Sequence, residues 1–321
     1  MFARIDRSTP IFSRLKHMTR DLQPEVFPNK KIYILTDQAA SHTFAIQAEI
    51  IASLDDLTSE QISNSVFYIY FQCDSDALPH LEKIIDSGGI FIPQQDYHKT
   101  HYRFVNRHAW NTLVNTWNNA SKISHLNILV HENICEALDI TKDLEGDFVE
   151  IGVYVGGSAF TAVNYIDELG TACKPRKAWL FDTFDGFNYE DAKNSSDTMW
   201  LGTCKLHGVE KTIQRVQDLL KNVKTETKCQ ELNICANEFP SEITKIAVAN
   251  LDVDLYEATY QGLLKLAPLI VPGGIIICED PTSTPGLYGA FLAMEQFLKK
   301  VEGKPFMKIF KGGQYFLVKT Q

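Results

Sequence analysis

Two apolar, β-type runs in this chain each end in a cluster of carboxylates, and that pattern constrains the fold more than any other feature. Ile246-Ala247-Val248-Ala249 leads into Asn250-Leu251-Asp252-Val253-Asp254-Leu255-Tyr256-Glu257. About 25 residues later, Gly274-Ile275-Ile276-Ile277-Cys278 leads into Glu279-Asp280. In an open parallel sheet, ligands bind in the crevice beyond the carboxyl ends of the strands. Carboxylates delivered to one such edge repel one another unless a cation is shared among them. An all-oxygen donor set at one point suits Mg²⁺ or a similar hard ion.

The elements around these runs alternate. From residue 145 onward the pattern reads strand Phe148–Gly152, a glycine turn, helix Ala159–Leu169, strand Ala178–Phe181 and a long polar segment. A helix at Glu210–Leu220 and a strand at Gln230–Ile234 follow, then the two carboxylate strands with helix Ala258–Leu266 between them. Strands alternating with helices predict an α/β fold with a parallel sheet covered on both faces. Residues 1–100 form a smaller β-α-β-α-β block: strand Lys31–Thr36, helix Thr43–Leu54, strand Val66–Phe71, helix Leu78–Asp86 and strand Gly89–Pro93. Thr36-Asp37-Gln38-Ala39-Ala40 lacks the glycines of a phosphate loop, so this block reads as an accessory or oligomerisation domain. Residues 101–144 read as a helical connector, with Leu113, Trp117, Ile123, Leu126, Leu129 and Val130 at helical spacing. The expected organisation is therefore 1–100, 101–144 and 145–321.

Bulk properties exclude several classes. Lys and Arg total 31 against 40 Asp and Glu, and the resulting charge of −9 argues against a nucleic-acid-binding surface. The longest apolar run, Leu266 to Cys278, is broken by Pro268, Pro272, Gly273 and Gly274, so no membrane insertion is expected. The seven cysteines are odd in number, scattered and free of C-x-x-C, as reduced thiols of a cytoplasmic protein are. The N-terminal Arg4, Arg7, Arg14, Lys16 and Arg20 have the charge of a transit peptide, but the cytoplasmic reading is preferred.

Two further motifs carry chemistry. In Glu150-Ile151-Gly152-Val153-Tyr154-Val155-Gly156-Gly157-Ser158, Gly152 lets the chain leave its strand sharply, and Gly156 and Gly157 admit a ligand close to the backbone. Ser158 is placed to cap the next helix. Tyr154 stands where a dinucleotide fingerprint requires its second glycine, so that motif is excluded. The spacing E-x-G-x-x-x-G-G instead resembles the first motif of S-adenosylmethionine-dependent methyltransferases. Asp182, at the end of Leu180-Phe181-Asp182-Thr183-Phe184-Asp185-Gly186-Phe187, can accept both hydroxyls of a ribose.

In order, E-x-G-V-x-x-G-G-S, D-T-F-D-G-F, L-D-V-D-L-Y-E and P-G-G-I-I-I-x-E-D resemble the macrocin O-methyltransferase (TylF-type) family from about His131 onward. The resemblance implies a Rossmann-like class I methyltransferase domain with a mostly parallel seven-stranded sheet. It also implies an enzyme that uses S-adenosylmethionine and Mg²⁺ to methylate a sugar or glycoside hydroxyl, with a vicinal-diol acceptor and a homo-oligomeric state. Carried over by position, Glu150, Gly152, Gly156, Gly157 and Ser158 hold the methionine part of the cofactor. Asp182 binds its ribose, with Thr183 and Phe184 beside it. Asp252, Glu279 and Asp280 match the metal ligands, and Asp254 the general base. The chain departs from the family in having Glu279-Asp280 for Asp-Asp. A second departure is Asn237-Glu238-Phe239-Pro240 for G-x-F-P, which leaves Asn237 at the turn of the adenine pocket.

Within the polar segment, His207 competes with Asp254 for the role of base, because histidine titrates near working pH. Asp254 is preferred, since it lies two residues from Asp252 and shares its face if the strand continues. Trp200 reads as core of a lid. The alternatives are a hydrolase of the D-x-D phosphatase type, disfavoured by Leu255 and by the late position of the motif, and a cofactor-binding scaffold without turnover.

Overall fold

The computed structural model describes residues 27, 29–37, 48–71, 74–93, 107–120, 128–188, 193, 196–206, 208–280 and 288–321. The chain divides into two compact units, Met1–Arg107 and His108–Gln321.

In the first unit, β1 (Lys31–Thr36), β2 (Glu49–Ile51), β3 (Ser65–Tyr70) and β4 (Ile90–Pro93) form a sheet of order β2-β1-β3-β4. Every pairing in it is parallel. Its helices are α1 (Ser59–Ser63) and α2 (Asp74–Asp86). The helix expected over Thr43–Leu54 is corrected: residues 49–51 are the edge strand, 52–57 are turns, and 43–47 lie outside the described residues. β-branched Ile50 and Ile51 favour the extended chain, and β2 pairs with β1 while Lys31 meets Glu49 at 2.7 Å. Helix α1 has a capping box, with Thr58 Oγ1 accepting from Gln61 N–H and Gln61 Oε1 from Thr58 N–H.

The second unit opens with helices α3 (Arg107–Ala120) and α4 (Ile128–Ile140). It continues with β5 (Asp147–Ile151), α5 (Gly157–Leu169), β6 (Ala178–Asp182), the 3₁₀ turn Ser196–Trp200, α6 (Val209–Leu220) and β7 (Thr227–Glu231). It ends with β8 (Ile246–Leu251), α7 (Tyr256–Leu266), β9 (Ile270–Cys278), α8 (Tyr288–Lys300), β10 (Phe306–Lys311) and β11 (Gln314–Lys319). The seven strands run in the order β10-β11-β9-β8-β5-β6-β7. β9, β8, β5, β6 and β7 are parallel, and the β10–β11 hairpin joins antiparallel to β9. The sheet is therefore mixed but mostly parallel.

All six residues of β8 are buried, as a central strand covered on both faces requires. Strands after β5 build outward in one direction through β6 and β7, and in the other through β8 and β9. The crevice between β5 and β8 is thus the point where the strand order reverses, the place such sheets use for ligands. The strand expected at Gln230–Ile234 is shifted to 227–231, so apolar Leu232 and Ile234 leave the sheet and enter the loop beyond it. Among the described residues, no helix is long and apolar enough to cross a membrane.

Candidate active site

A cleft of about 290 Å³ opens over the carboxyl ends of β5, β6, β8 and β9. Gly152, Val153, Tyr154, Gly157 and Ser158 line one side, Asp182 and Thr183 the next, and Leu232, Asn233 and Ile234 the wall beyond. Asp252, Asp254, Glu279 and Asp280 close the other end. The glycine turn and the carboxylate cluster, about a hundred residues apart in sequence, therefore share one chamber.

The turn after β5 is built by close approach. Gly152 has φ +95, and a Cβ there would lie 1.6 Å from the carbonyl oxygen of Asp252. The two strand ends touch because this residue has no side chain. Gly156 is the N-cap of α5 in the left-handed region, and no side chain caps that helix. The capping role expected for Ser158 is corrected. Its hydroxyl lies inside the first turn and donates to Glu150, so the first N–H groups of α5 face the cleft without a side-chain cap.

Glu150 is fully buried behind this wall and does not line the cleft. Its Oε1 also accepts from Asn250 Nδ2 at 3.1 Å, which ties β5 to β8 through their interior side chains. Its Oε2 is buried with no hydrogen-bond partner. Burial drives its pKa up to about 7, against the pull of those two hydrogen bonds.

Asp182 is held by two backbone N–H groups, Tyr154 to Oδ2 and Phe184 to Oδ1, each at 2.7 Å. Burial raises its pKa and the N–H donors oppose that shift. Tyr154 and Phe184 both sit at positive φ, +51 and +52, so the two donors are aimed at Asp182 at a cost in backbone strain. Phe184 itself is buried beneath the site, outside the cleft lining, and so is Gly156. Asn237 lies in an exposed turn, its Oδ1 accepting from Asn233 N–H at 3.3 Å, and it is Asn233 that reaches the cleft. His207 lies outside the described residues.

The acidic end is arranged differently from strand alternation. β8 stops at Leu251, and Leu255 N–H closes on Val253 C=O at 2.6 Å around Asp254, whose φ is +61. Asp254 thus joins Asp252 through a tight, strained turn and not by sharing a strand face. Its own N–H donates to Asp280 Oδ2 at 2.7 Å. Carboxylate oxygens of Asp252, Asp254 and Asp280 come within 4.8 Å of one another. Glu279 lines the same cleft and is fully buried, but it does not belong to that converging group.

Burial, then the neighbouring charge of Glu279, raises Asp280 to about 8, and Asp252 lies well above the carboxylate range for the same reasons. Asp280 Oδ1 is buried with no hydrogen-bond partner. An all-oxygen set of three converging carboxylates, with one buried oxygen unsatisfied, fits a hard divalent cation.

Asn233, Cys204 and Leu206 also line the cleft and were not singled out in the sequence, and Tyr154, read there only as excluding a dinucleotide fingerprint, lines it too. Asn233 lies two residues beyond β7, and the strand expected over Gln230–Ile234 placed it inside the sheet, so the sequence offered no signal for it. Trp200, read as core of a lid, is partly buried and packs against the core cluster of the sheet. Asp197, buried beside it, accepts from Glu257 N–H at 3.3 Å and so caps α7 from the polar segment. Tyr256 donates to Gln296 at 2.6 Å and joins α7 to α8.

The family model described as macrocin O-methyltransferase (TylF) matches residues 110–316, beginning some twenty residues before the resemblance seen in the motifs. A tetracenomycin-C derivative 4'-O-methyltransferase from Streptomyces olivaceus, whose full description is 8-demethyl-8-(2,3-dimethoxy-alpha-L-rhamnosyl)-tetracenomycin-C 4'-O-methyltransferase, is 25% identical over 151 residues. That alignment spans 46% of this chain and 57% of the relative's length. The structure of the O-methyltransferase NovP superposes with a TM-score of 0.53 at 21% identity, covering 62% of this chain and 83% of NovP. The fold is that of the Rossmann-like class I methyltransferases.

Proposed function

The chain belongs to the macrocin O-methyltransferase (TylF) family, and from that premise we propose that it transfers a methyl group from S-adenosylmethionine to a sugar or glycoside hydroxyl with the aid of Mg²⁺. The observation that carries this reading is the single cleft joining the β5 turn and Asp182 to the carboxylates of β8 and β9. A donor pocket and a cation pocket in one chamber are what an in-line transfer between two bound substrates needs.

Each part of the cleft has a use in that reaction. The uncapped N-terminus of α5 attracts the carboxylate of the cofactor's methionine end. Asp182, oriented by two N–H donors, keeps lone pairs for the ribose hydroxyls. Leu232, Asn233 and Ile234 wall the base. Glu150 acts from behind, holding Ser158 and Asn250 and so fixing β5 against β8. Asp252 and Asp280, with a third carboxylate, would hold the ion, which would supply Lewis acidity to an acceptor hydroxyl that otherwise holds its proton too tightly to act as a nucleophile. Asp254 is placed to take that proton, and the acceptor oxygen would attack the sulfonium methyl carbon as its bond to sulfur breaks, releasing the cofactor as the neutral thioether.

Titration calorimetry tests the reading directly. S-adenosylmethionine should bind with or without EDTA, whereas transfer to a rhamnoside-type diol should stop in EDTA and return with Mg²⁺. Asp252→Asn should abolish transfer and leave cofactor affinity nearly intact. A chain that binds no cofactor under either condition would refute the proposal.

A further inference from the structure

The polar segment between β6 and α6 supplies one wall of the cleft, and a single buried carboxylate within it fastens that wall to the far side of the site. On the methyltransferase reading above, we infer that Asp197 is a positioning residue for the reaction. It latches the segment onto the first turn of α7 and so holds Cys204 and Leu206 in place for the acceptor.

At its base the segment folds back on itself. Gly202 N–H donates to Phe187 C=O at 2.9 Å and Phe187 N–H to Thr203 C=O at 3.2 Å. A Cβ on Gly186 would run into the Thr203 carbonyl oxygen, so the two limbs touch through bare backbone. Thr203 and Cys204 are thereby held near Thr183, whose hydroxyl donates to Gly186 C=O at 3.2 Å. Gly186, Phe187, Cys204 and Leu206 from these limbs line the cleft. Burial raises the Cys204 thiol pKa, and the charges of Asp254 and Asp182 add to that shift. This residue is therefore within electrostatic reach of both halves of the cleft.

The other end of the segment is fixed by Asp197, buried in the 3₁₀ turn Ser196–Trp200. Its Oδ2 accepts from Glu257 N–H at 3.3 Å, across 60 residues of sequence. The N-cap of α7 is Leu255, which offers no side-chain cap, so Asp197 supplies one from outside the helix. Its Oδ1 faces α8: a Cβ on Gly289 would lie 2.8 Å from that oxygen and 3.0 Å from Tyr256 N. The carboxylate thus sits where the first turns of α7 and α8 meet, and two helix N-termini favour its negative charge. Because α7 starts directly after the Asp252–Asp254 turn, the bond that caps the helix also sets the segment against the acidic end. With the latch broken, the wall is in place for only a fraction of the time. Apparent acceptor affinity falls by that fraction, while turnover of the saturated complex does not.

Hydrogen exchange and kinetics on the full chain test this together. Exchange is followed by mass spectrometry with S-adenosylmethionine present. Peptides covering 196–206 should exchange at least about fivefold faster in Asp197→Ala than in the parent chain, while β5, β6 and β8 keep their protection. Asp197→Asn keeps an oxygen for the Glu257 N–H and should recover most of the difference. With methyl α-L-rhamnopyranoside as acceptor, at saturating cofactor and Mg²⁺, Asp197→Ala should raise the acceptor KM about five- to tenfold. Its kcat and cofactor Kd should stay within about twofold of the parent values, and the KM of Asp197→Asn within about threefold. Parent-like exchange and KM in Asp197→Ala would overturn the inference and leave the methyltransferase reading in place, as would a loss of kcat at unchanged KM. Faster exchange throughout 108–321 in both variants would reduce Asp197 to a structural cap. A parent chain that transfers to no rhamnoside would remove the acceptor role along with the reading it rests on, whatever the exchange of the segment shows.

Discussion

Gly152 sits where the ends of β5 and β8 meet, and its hydrogen is all that fits there. A methyl group would lie 1.6 Å from the Asp252 carbonyl oxygen, on a backbone at φ +95 that side chains rarely adopt. Gly152→Ala should therefore lower stability by at least about 3 kcal/mol and displace Asp252, with both effects visible in urea denaturation and Mn²⁺ titration. Near-wild-type values in both would mean that the strand ends are not packed as described. Glu150 allows a second test at the same scale. Its carboxyl is raised to about 7 in the folded chain from an ordinary 4.5. The folded state binds this proton more tightly, so the associated stability is complete below about pH 4.5 and is lost as pH rises through 7. A shift of that size corresponds to about 3 kcal/mol. Glu150→Gln keeps an oxygen for Ser158 and cannot ionise. Its denaturation midpoint should fall less between pH 5 and pH 8 than that of the parent chain, and equal slopes would show that another group titrates.

Helix α7 connects the acidic end of the cleft to its far wall. It begins directly after the Asp252–Asp254 turn, and at its other end Lys265 donates to Ile234 C=O at 2.9 Å and Asn237 C=O at 2.6 Å. These two bonds pin the loop carrying Leu232, Asn233 and Ile234. Lys265→Met keeps the apolar stem and removes both. It should weaken cofactor binding by about three- to tenfold, the worth of roughly one hydrogen bond, while kcat stays within about twofold. Loss of kcat with unchanged affinity would place the effect at the acidic end instead. This element also marks where the sequence was legible and where it was not. Apolar runs ending in acids identified β6, β8 and β9, and one ending in a glycine turn identified β5, because a buried parallel strand is written almost entirely in its own residues. β7 is an edge strand of polar Thr227–Glu231, and its neighbours Leu232 and Ile234 drew the expected strand three residues too far. The β10–β11 hairpin, turning at Gly312-Gly313, was left unassigned although two residues of that kind between strands are a hairpin signal. The carboxylates were legible as a group. Which of them converge depends on one residue in the left-handed region, Asp254, and no periodicity encodes that.

At the scale of the whole chain, every residue lining the cleft, from Ile151 to Asp280, lies within His108–Gln321, and so does the family match over 110–316. The active unit should therefore fold by itself, but only if it is cut at the right place. A boundary before β5, at 145, follows from treating α3 and α4 as a connector, and it removes the helix that covers one face of the sheet. α4 packs against α5, β8 and β9, and it buries Val130, His131, Glu132, Ile134, Cys135, Ala137 and Leu138. His131 is held there by a 2.6 Å hydrogen bond between Nδ1 and Thr161 Oγ1 of α5, with the Trp117 ring of α3 edge-on at 5.1 Å. Stripping these helices would expose α5, whose N-terminus lines the cleft, along its buried side. A chain beginning at Arg107 should melt cooperatively and bind S-adenosylmethionine within about threefold of the full chain, whereas one beginning at 145 should neither melt cooperatively nor bind. If the shorter chain bound as well as the longer, α3 and α4 would be dispensable to the fold. If neither bound, residues 1–106 would be part of the machinery that the cleft alone is here taken to supply.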